Sequence, residues 1–151
     1  MFDMRNVTLD DILAQTTIED AQDVYRQTWC KAPSNGQEPW VGFIPPLGTW
    51  RHDGVLDEWE VLIEVPADEV KPAEQDWDFA RRHWTTRNYV KWAMEGRQAP
   101  PVNVVRHVNG NLVSTNRRRV LAAWEAELPT VLAWFSETDD NGRALWRGAS
   151  C

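Results

Sequence analysis

The sequence has few cysteines and no long apolar run, and each absence excludes a class of protein. Only two of the 151 residues are cysteine, Cys30 and Cys151, and no Cys-x-x-Cys pair occurs. No disulfide framework is therefore expected. No apolar stretch approaches the roughly 20 residues of a membrane span, and the first residues lack the basic-then-apolar build of a secretory signal. These absences predict a reduced, cytoplasmic protein with no membrane partner.

The chain is acidic overall, but its charge is unevenly distributed. The formal net charge is −7. Residues 1–70 hold 4 Lys/Arg against 14 Asp/Glu, residues 71–125 hold 10 against 5, and residues 126–151 hold 2 against 4. A protein that coats nucleic acid is expected to be basic throughout, whereas a basic segment between acidic ones favours a focused anion site. The acidic segment can also dock a protein partner, although solubility is the simpler explanation.

Apolar spacing and capping residues predict two helices near the start of the chain. Thr8 and Thr16 are the candidate N-caps, and the second helix is predicted to end near Trp29. The stretch WVGFIPPLGTW contains two prolines and allows at most a short edge strand. RHDG after it is predicted to be a turn. The first clear strand is Glu58–Pro66, and the acidic stretch ADEVKPAEQD is predicted to be a loop.

Residues 77–95 have the apolar spacing of a helix in two pieces. Thr85 or Thr86 is the predicted N-cap of the second piece, and Gly96 is predicted to close it. The buried face of that piece is predicted to hold Tyr89, Val90, Ala93 and Met94.

The rest of the basic segment predicts a hairpin, a helix and a strand. Residues 102–114 form the hairpin, with a turn at Asn109 and Gly110. RRRVLAAWEAE is helical, is stopped by Pro129, and is followed by a strand over residues 130–135. Its shared face holds Val120, Ala123, Trp124 and Leu128. The order of elements predicts an α+β fold with a small mixed sheet.

Three consecutive arginines, Arg117, Arg118 and Arg119, stand at the start of this predicted helix. Cations at that position oppose the helix macrodipole and cost about 0.3–1 kcal/mol each when exposed. The backbone N–H groups of a helix start favour an anion, and guanidinium forks bind phosphate through two hydrogen bonds. A phosphate site explains the cluster, and ion pairs with acids of the N-terminal segment are the alternative.

Residues 115–123, TNRRRVLAA, resemble the arginine box of the ParB/sulfiredoxin superfamily, in particular the ParB N-terminal (ParB-like nuclease) domain. The family box has the form D-G-E-R-R-x-x-A-A and follows a P-[IV]-x-V strand. Arg118 and Arg119 match its two arginines, whereas Asn116 replaces the glycine and Arg117 the glutamate. Asn is the best substitute where a glycine has positive φ. Sulfiredoxin has its catalytic cysteine at the place of Arg117, so its reductase chemistry is not expected here.

The resemblance covers roughly residues 58–135. We predict a ParB/sulfiredoxin-like domain over residues 56–151, with residues 1–55 as an acidic helical extension packed on it. It is closest to small stand-alone members of plasmids and mobile elements. The resemblance implies that the protein binds a nucleotide or DNA. Single-stranded DNA is the expected partner in preference to duplex DNA, and ATP or CTP with Mg is the expected cofactor. In some members it implies nuclease or nucleotide-hydrolysing activity. The phosphate-binding residues it implies are Thr115, Asn116, Arg117, Arg118 and Arg119.

Two other functions stay open at this point. The replacement of the glycine and the glutamate of the box fits a non-enzymatic protein-binding module, such as an inhibitor of plasmid transfer. A defence- or toxin-associated nuclease is the other. The helix-turn-helix and dimerisation parts of full ParB proteins are not recognisable in the sequence, so centromere binding is not expected.

Further basic and aromatic residues precede the hairpin. Arg87 and Lys91 share a helix face and, with Trp84 as a stacking platform, can form a second wall of a nucleotide groove. The alternative, which burial frequencies favour, is a solvated face with Trp84 in the core. His107 and Glu95 are the candidates for general base and for magnesium ligand. No histidine or cysteine has metal-ligand spacing.

Overall fold

A computed structural model describes residues 44–53, 58–73 and 77–146 of the chain. The two helices predicted before residue 30 lie outside the described residues. The described residues form six strands, which are β1 (Trp50–Asp53), β2 (Glu58–Pro66), β3 (Val70–Pro72), β4 (Val102–Arg106), β5 (Leu112–Ser114) and β6 (Thr130–Glu137). The α-helices are α1 (Trp77–Arg82), α2 (Trp84–Met94) and α3 (Arg117–Glu125), and a 3-10 turn covers Ala67–Glu69.

The six strands form one mixed sheet. Their order is β1-β2-β6-β4-β5-β3. β4 lies parallel to β6 and β3 lies parallel to β5, whereas the other pairs are antiparallel. The predicted α+β class with a small mixed sheet is confirmed. β1 precedes residue 55 and pairs with β2 as an edge strand of this sheet.

The core lies between one face of the sheet and α3. In β2 the residues on this face are Trp59, Val61, Ile63 and Val65. They pack in one cluster with Val102, Val104, Val131, Ala133 and Phe135 of the neighbouring strands and with Val120 and Ala123 of α3. A valine-rich central strand suits this position because β-branched side chains fit a pleated, buried surface.

The second face of β2 is buried as well. Glu60 and Leu62 are both buried. The carboxylate of Glu60 accepts a hydrogen bond from Arg51 Nη2 at 3.4 Å. The guanidinium of Arg51 in turn lies 4.1 Å from the ring centroid of Trp134. β2 is therefore an inner strand that is shielded on both faces.

Two strands lie where the sequence predicted other structure. β1 includes Arg51, His52 and Asp53, which were predicted to be part of a turn, because these residues pair with β2 in register. β3 lies within the stretch predicted to be a loop and pairs with β5. That partner is some 40 residues away in the chain, so local sequence carries little sign of the pairing. The hairpin of β4 and β5 is confirmed, with Gly110 at φ 87° in its turn.

The predicted break in the helical segment is confirmed, but its capping was wrong. His83 is the N-cap of α2, and its Nδ1 accepts a hydrogen bond from the backbone N–H of Thr85 at 3.2 Å. Thr86 is fully buried and donates from Oγ1 to the carbonyl of Ala80. Gly96 follows the helix at φ 75°, as expected of a closing glycine.

The boundaries of α2, α3 and β6 also depart from the predictions. Met94 was predicted to be buried but is 79% exposed at the end of α2. α3 ends at Glu125, and Glu127 has a positive φ of 56°. Leu128 thus falls beyond the helix and is exposed, because a residue before proline is disfavoured in the α region. β6 continues to Glu137, where it still pairs with Arg106 of β4.

Candidate phosphate-binding site

The loop that leads from β5 into α3 is held by one side chain of β4, Asn103. Asn103 Oδ1 accepts hydrogen bonds from Ser114 Oγ at 3.3 Å, from Thr115 N at 3.2 Å and from Thr115 Oγ1 at 2.9 Å. Ser114 is fully buried, and its Oγ accepts a further bond from the backbone N–H of Asn116. The loop before the box arginines is therefore fixed in place by a polar network.

Asn116 joins the same network from the other side. Its Oδ1 accepts a hydrogen bond from the backbone N–H of Asn103 at 2.7 Å. Asn116 is also the N-cap of α3, yet its side chain makes no capping bond. Its φ is −82°, so the positive φ considered for this position does not occur. Asn116 therefore ties the loop to β4 and leaves the helix start uncapped.

The first turn of α3 combines open amides with arginine side chains. The backbone N–H groups of Arg118 and Arg119 donate to no acceptor among the described residues. The side chain of Arg118 forms no ion pair or hydrogen bond within the described ranges and is half-buried. The turn contains no acidic residue. An anion placed there would meet the positive end of the helix dipole and a guanidinium together.

The side chain of Arg119, unlike that of Arg118, is hydrogen-bonded to backbone carbonyls. Its Nη1 donates to the carbonyl of Pro101 at 2.7 Å and to that of Pro100 at 3.1 Å. Burial lowers the pKa of Arg119, while the neighbouring Tyr89 acts in the opposite direction. The side chain thus fastens α3 to the segment before β4. Arg117 is the first residue of α3 and is also half-buried.

The residues of the predicted second wall lie along α2, which runs antiparallel to α3. Arg87 forms an ion pair with Glu125 at the C-terminal end of α3. Seven residues separate Glu125 from Arg118, which is about 10 Å along a helix. Lys91 is exposed on the same side of α2 as Arg87. The structure therefore places Arg87 one helix length away from the first turn of α3, with Lys91 between the two ends.

Trp84 does not lie in the core. Its side chain is 69% exposed at the start of α2. The ring stacks on His83, with the two ring centroids 5.7 Å apart. An open groove of about 510 Å³, lined by Asp78, Arg81, Arg82, Arg87 and Glu125, is formed by the same helical segment and the end of α3. The alternative of a buried tryptophan is therefore wrong, and the ring belongs to the Arg87 end of the helix pair.

Of the two candidate catalytic residues, His107 is not brought to the box, and Glu95 is paired with Arg97 at the C-terminal end of α2. Glu95 is the C-cap of α2, is exposed, and lies 3.9 Å from Arg97 Nη1. His107 is exposed in the hairpin turn beyond the C-terminal end of β4. Asn103 and the box lie near the other end of that strand, which spans about 15 Å. Within the described ranges, no group of three or more His, Cys, Asp or Glu side chains is placed to hold a metal ion.

Asn103 is the important residue of this site that sequence reasoning missed. The available signal was a single polar residue inside the apolar run VNVV. A polar side chain inside an apolar strand requires hydrogen-bond partners, and the structure supplies them from Ser114 and Thr115. The contacts of Arg119 with Pro100 and Pro101 had no sequence signal, because they are made to backbone carbonyls.

Comparison with known proteins finds no matching family model and no matching curated protein. Among solved structures, sulfiredoxin from Arabidopsis thaliana is similar with a TM-score of 0.41 and 14% identity, over 51% of this chain and 85% of that one. The truncated chromosome-partitioning protein ParB from Caulobacter crescentus, complexed with CTP-gamma-S, is similar with a TM-score of 0.40 and 23% identity. That overlap covers 54% of this chain and 47% of the ParB chain.

No helix among the described residues is long and apolar enough to cross a bilayer.

Proposed function

We propose that this chain binds the phosphate groups of a nucleotide or of single-stranded nucleic acid at the start of α3. One observation carries the proposal. The side chain of Arg118 has no counter-ion within the described ranges, and it stands beside two helix-start amides without acceptors. A half-buried cation next to the positive end of a helix is unfavourable by itself and becomes favourable when an anion is bound.

The surroundings of Arg118 support a built site. Asn103 and Asn116 hold the loop in a fixed conformation, so little ordering entropy is lost when an anion binds. The side chain of Asn116 does not compete with an anion for the helix-start amides, because its Oδ1 accepts a hydrogen bond from the backbone N–H of Asn103 in β4. Binding is proposed here without catalysis, since His107 lies beyond the far end of β4 from the box and Glu95 is paired with Arg97.

The experiment is a titration of the protein with ATP, CTP and a single-stranded oligonucleotide, with and without Mg. These are the ligands that the family resemblance implies. Arg118→Ala is expected to weaken binding about 10- to 100-fold, because a charge-assisted hydrogen bond contributes about 1.5–3 kcal/mol. The thermal unfolding temperature should stay close to that of the wild type, since the side chain of Arg118 forms no hydrogen bond or ion pair with the described residues.

The matched control is Arg143→Ala, which removes the same charge from an exposed turn. That turn follows β6, so it lies at the opposite end of the sheet from the box. This control should bind like the wild type. The proposal fails if the wild type binds none of the ligands, or if Arg118→Ala and Arg143→Ala lower the affinity equally.

A non-enzymatic protein-binding module is the second candidate. The observation that favours it is the exposed Trp84 in the same helical segment as Arg81, Arg82 and Arg87, which line a groove, because tryptophan and arginine dominate the energetics of protein interfaces. The Arg118→Ala variant separates the two functions. The protein-binding function would be favoured if the wild type bound no nucleotide and if Arg118→Ala still bound a stoichiometric protein partner.

A further inference from the structure

A second cavity lies between α2, α3 and the beginning of β6, and its volume is about 270 Å³. β4 pairs with β6 only from Val102, which lies opposite Ala133. The residues of β6 before Ala133 therefore have no neighbour in β4, and Thr130 and Val131 line the cavity instead. Pockets for drug-sized ligands measure about 300–1,000 Å³, so this cavity suits a smaller molecule.

Small apolar side chains make up much of the wall on the α3 side of the sheet. Ala93 of α2 and Ala122 and Ala123 of α3 contribute no more than a methyl group each, which leaves the space between the two helices open. Leu128 and Val131 add branched apolar surface. These side chains favour the burial of an aliphatic group and offer it no hydrogen bonds.

Arg119 lines the same cavity and has no counter-ion among the described residues. Only its Nη1 donates to carbonyls, those of Pro100 and Pro101, so its remaining N–H groups are available as donors. Burial lowers the pKa of Arg119, because partial removal from water disfavours the charged form. A partly desolvated cation of this kind is stabilised when a carboxylate pairs with it.

The hydroxyl of Tyr89 is a further polar group in the wall. Tyr89 lines the cavity and is close enough to Arg119 to influence it electrostatically. Arg97 also lines the cavity, but its guanidinium is already engaged. Its Nη1 lies 3.9 Å from a carboxylate oxygen of Glu95, and its centre lies 4.4 Å from the ring centroid of Trp92. Arg119 is therefore the lining cation that lacks a partner of opposite charge.

Among the residues that the structure describes, no acidic side chain lines the α3 side of this cavity. Glu64 borders the cavity, but its side chain points to the opposite face of β2. The reason is that Ile63 and Val65, on either side of it, pack toward α3, and successive side chains of a strand alternate between the two faces. A ligand carboxylate beside Arg119 therefore meets no lining acid on its own side of the sheet.

We propose that this cavity binds a small aliphatic monocarboxylate, of the size of isovalerate, through the guanidinium of Arg119. The hydroxyl of Tyr89 donates a second hydrogen bond to the carboxylate, and the aliphatic tail lies on the alanine wall. One negative charge matches one unpaired cation, whereas a phosphate dianion leaves a second charge in a largely apolar cavity. The site is separate from the Arg118 site and does not rest on phosphate binding.

The test compares isovalerate with two probes that each lack one of its features. Isovaleramide keeps the tail but has no charge, and acetate keeps the charge but has almost no tail. Binding is followed by chemical-shift changes of the Ala93 and Ala122 methyl groups during titration. Isovalerate is expected to bind about tenfold more tightly than either probe, because the amide loses the ionic contact and acetate loses the apolar burial. Equal affinities for isovalerate and either probe, or no saturable change with isovalerate, would overturn the proposal.

Substitutions of the cation locate the carboxylate. Arg119→Gln is expected to lower the affinity for isovalerate about tenfold, to that for isovaleramide, because the charge-assisted contact is lost. Arg143→Gln is the matched control, since Arg143 is exposed and does not line the cavity, and it should bind isovalerate like the wild type. An equal loss of affinity in the two variants would overturn the proposal.

A substitution in the alanine wall locates the tail without touching a hydrogen bond of Arg119. Ala93→Leu is expected to fill the cavity and to abolish isovalerate binding, followed at the Ala122 methyl group, while a thermal unfolding transition shows that the protein is folded. Isovalerate binding that survives in folded Ala93→Leu would contradict the proposed site. ATP binding by Ala93→Leu at the wild-type affinity would support the separation of the two sites.

Discussion

At the scale of residues, the candidate site depends on which polar atoms already form hydrogen bonds within the protein. Arg118 and Arg119 are adjacent and chemically identical, yet Arg119 Nη1 is held by two proline carbonyls and Arg118 is not. Asn116 could cap its helix but bonds to β4 instead. Asn103 accepts three hydrogen bonds with a single oxygen. These occupied atoms decide which groups remain available to a ligand.

Asn103→Ala is expected to destabilise the protein by about 1–3 kcal/mol, because the buried Ser114 hydroxyl loses its acceptor. Phosphate affinity should fall as well, since the loop before Arg118 would no longer be fixed. Urea unfolding and the ATP titration measure the two effects. Asn103→Asp is the control, because it keeps the acceptor oxygen. It should retain stability but bind phosphate less tightly through charge repulsion. A fully stable Asn103→Ala protein would contradict the role given to this side chain.

At the scale of elements, α3 connects the core to the site. Its buried face packs on the sheet through Val120 and Ala123. Its far end is tied by Trp124, whose Nε1 donates to the carbonyl of Ala67 at 2.6 Å. The Trp124 ring also packs edge-on against Trp77 of α1, with centroids 5.4 Å apart. The helix start can remain open to a ligand because the rest of the helix is anchored.

Trp124→Phe tests this anchor. It keeps an aromatic ring but removes one of the two donors to the carbonyl of Ala67, the other being the backbone N–H of Val70, so we expect a loss of about 1 kcal/mol of unfolding free energy. Trp124→Ala also removes the ring contacts and should cost about 3 kcal/mol or more. Both are measured by urea unfolding with the fluorescence of the remaining tryptophans. If Trp124→Phe were as stable as the wild type, the hydrogen bond to Ala67 would contribute nothing.

At the scale of the whole molecule, the charge distribution limits what can bind. The net charge is −7, while residues 71–125, which include the box, hold 10 Lys/Arg against 5 Asp/Glu. The local field attracts a phosphate, whereas the overall charge repels a long polyanion. A short ligand therefore suits the molecule better than an extended nucleic acid.

Raising the salt concentration from about 50 to 200 mM is expected to weaken ATP binding several-fold, because screening acts on the attraction of the basic segment. A single-stranded oligonucleotide of about 20 nucleotides should bind no more than about tenfold more tightly than ATP at equal salt, since few of its phosphates meet cations. Fluorescence anisotropy measures both. Oligonucleotide binding with a steep salt dependence would instead indicate a long basic track.

The sequence by itself determined the features that depend on local pattern. The position of β2, the Asn-Gly turn of the hairpin, the closing Gly96 and the start of α3 at Arg117 follow from side-chain periodicity and backbone preference. The focus on the box arginines likewise followed from charge at a helix start.

Only the tertiary structure decided what depends on partners far apart in the chain. β3 exists because β5 lies beside it, and Asn103 and Asn116 meet across 13 residues. Arg118 and Arg119 differ only because the Pro100–Pro101 segment passes one of them. Hydrogen bonds and ion pairs act over a few ångströms, so the role of each arginine was settled by which groups the fold brings within that range.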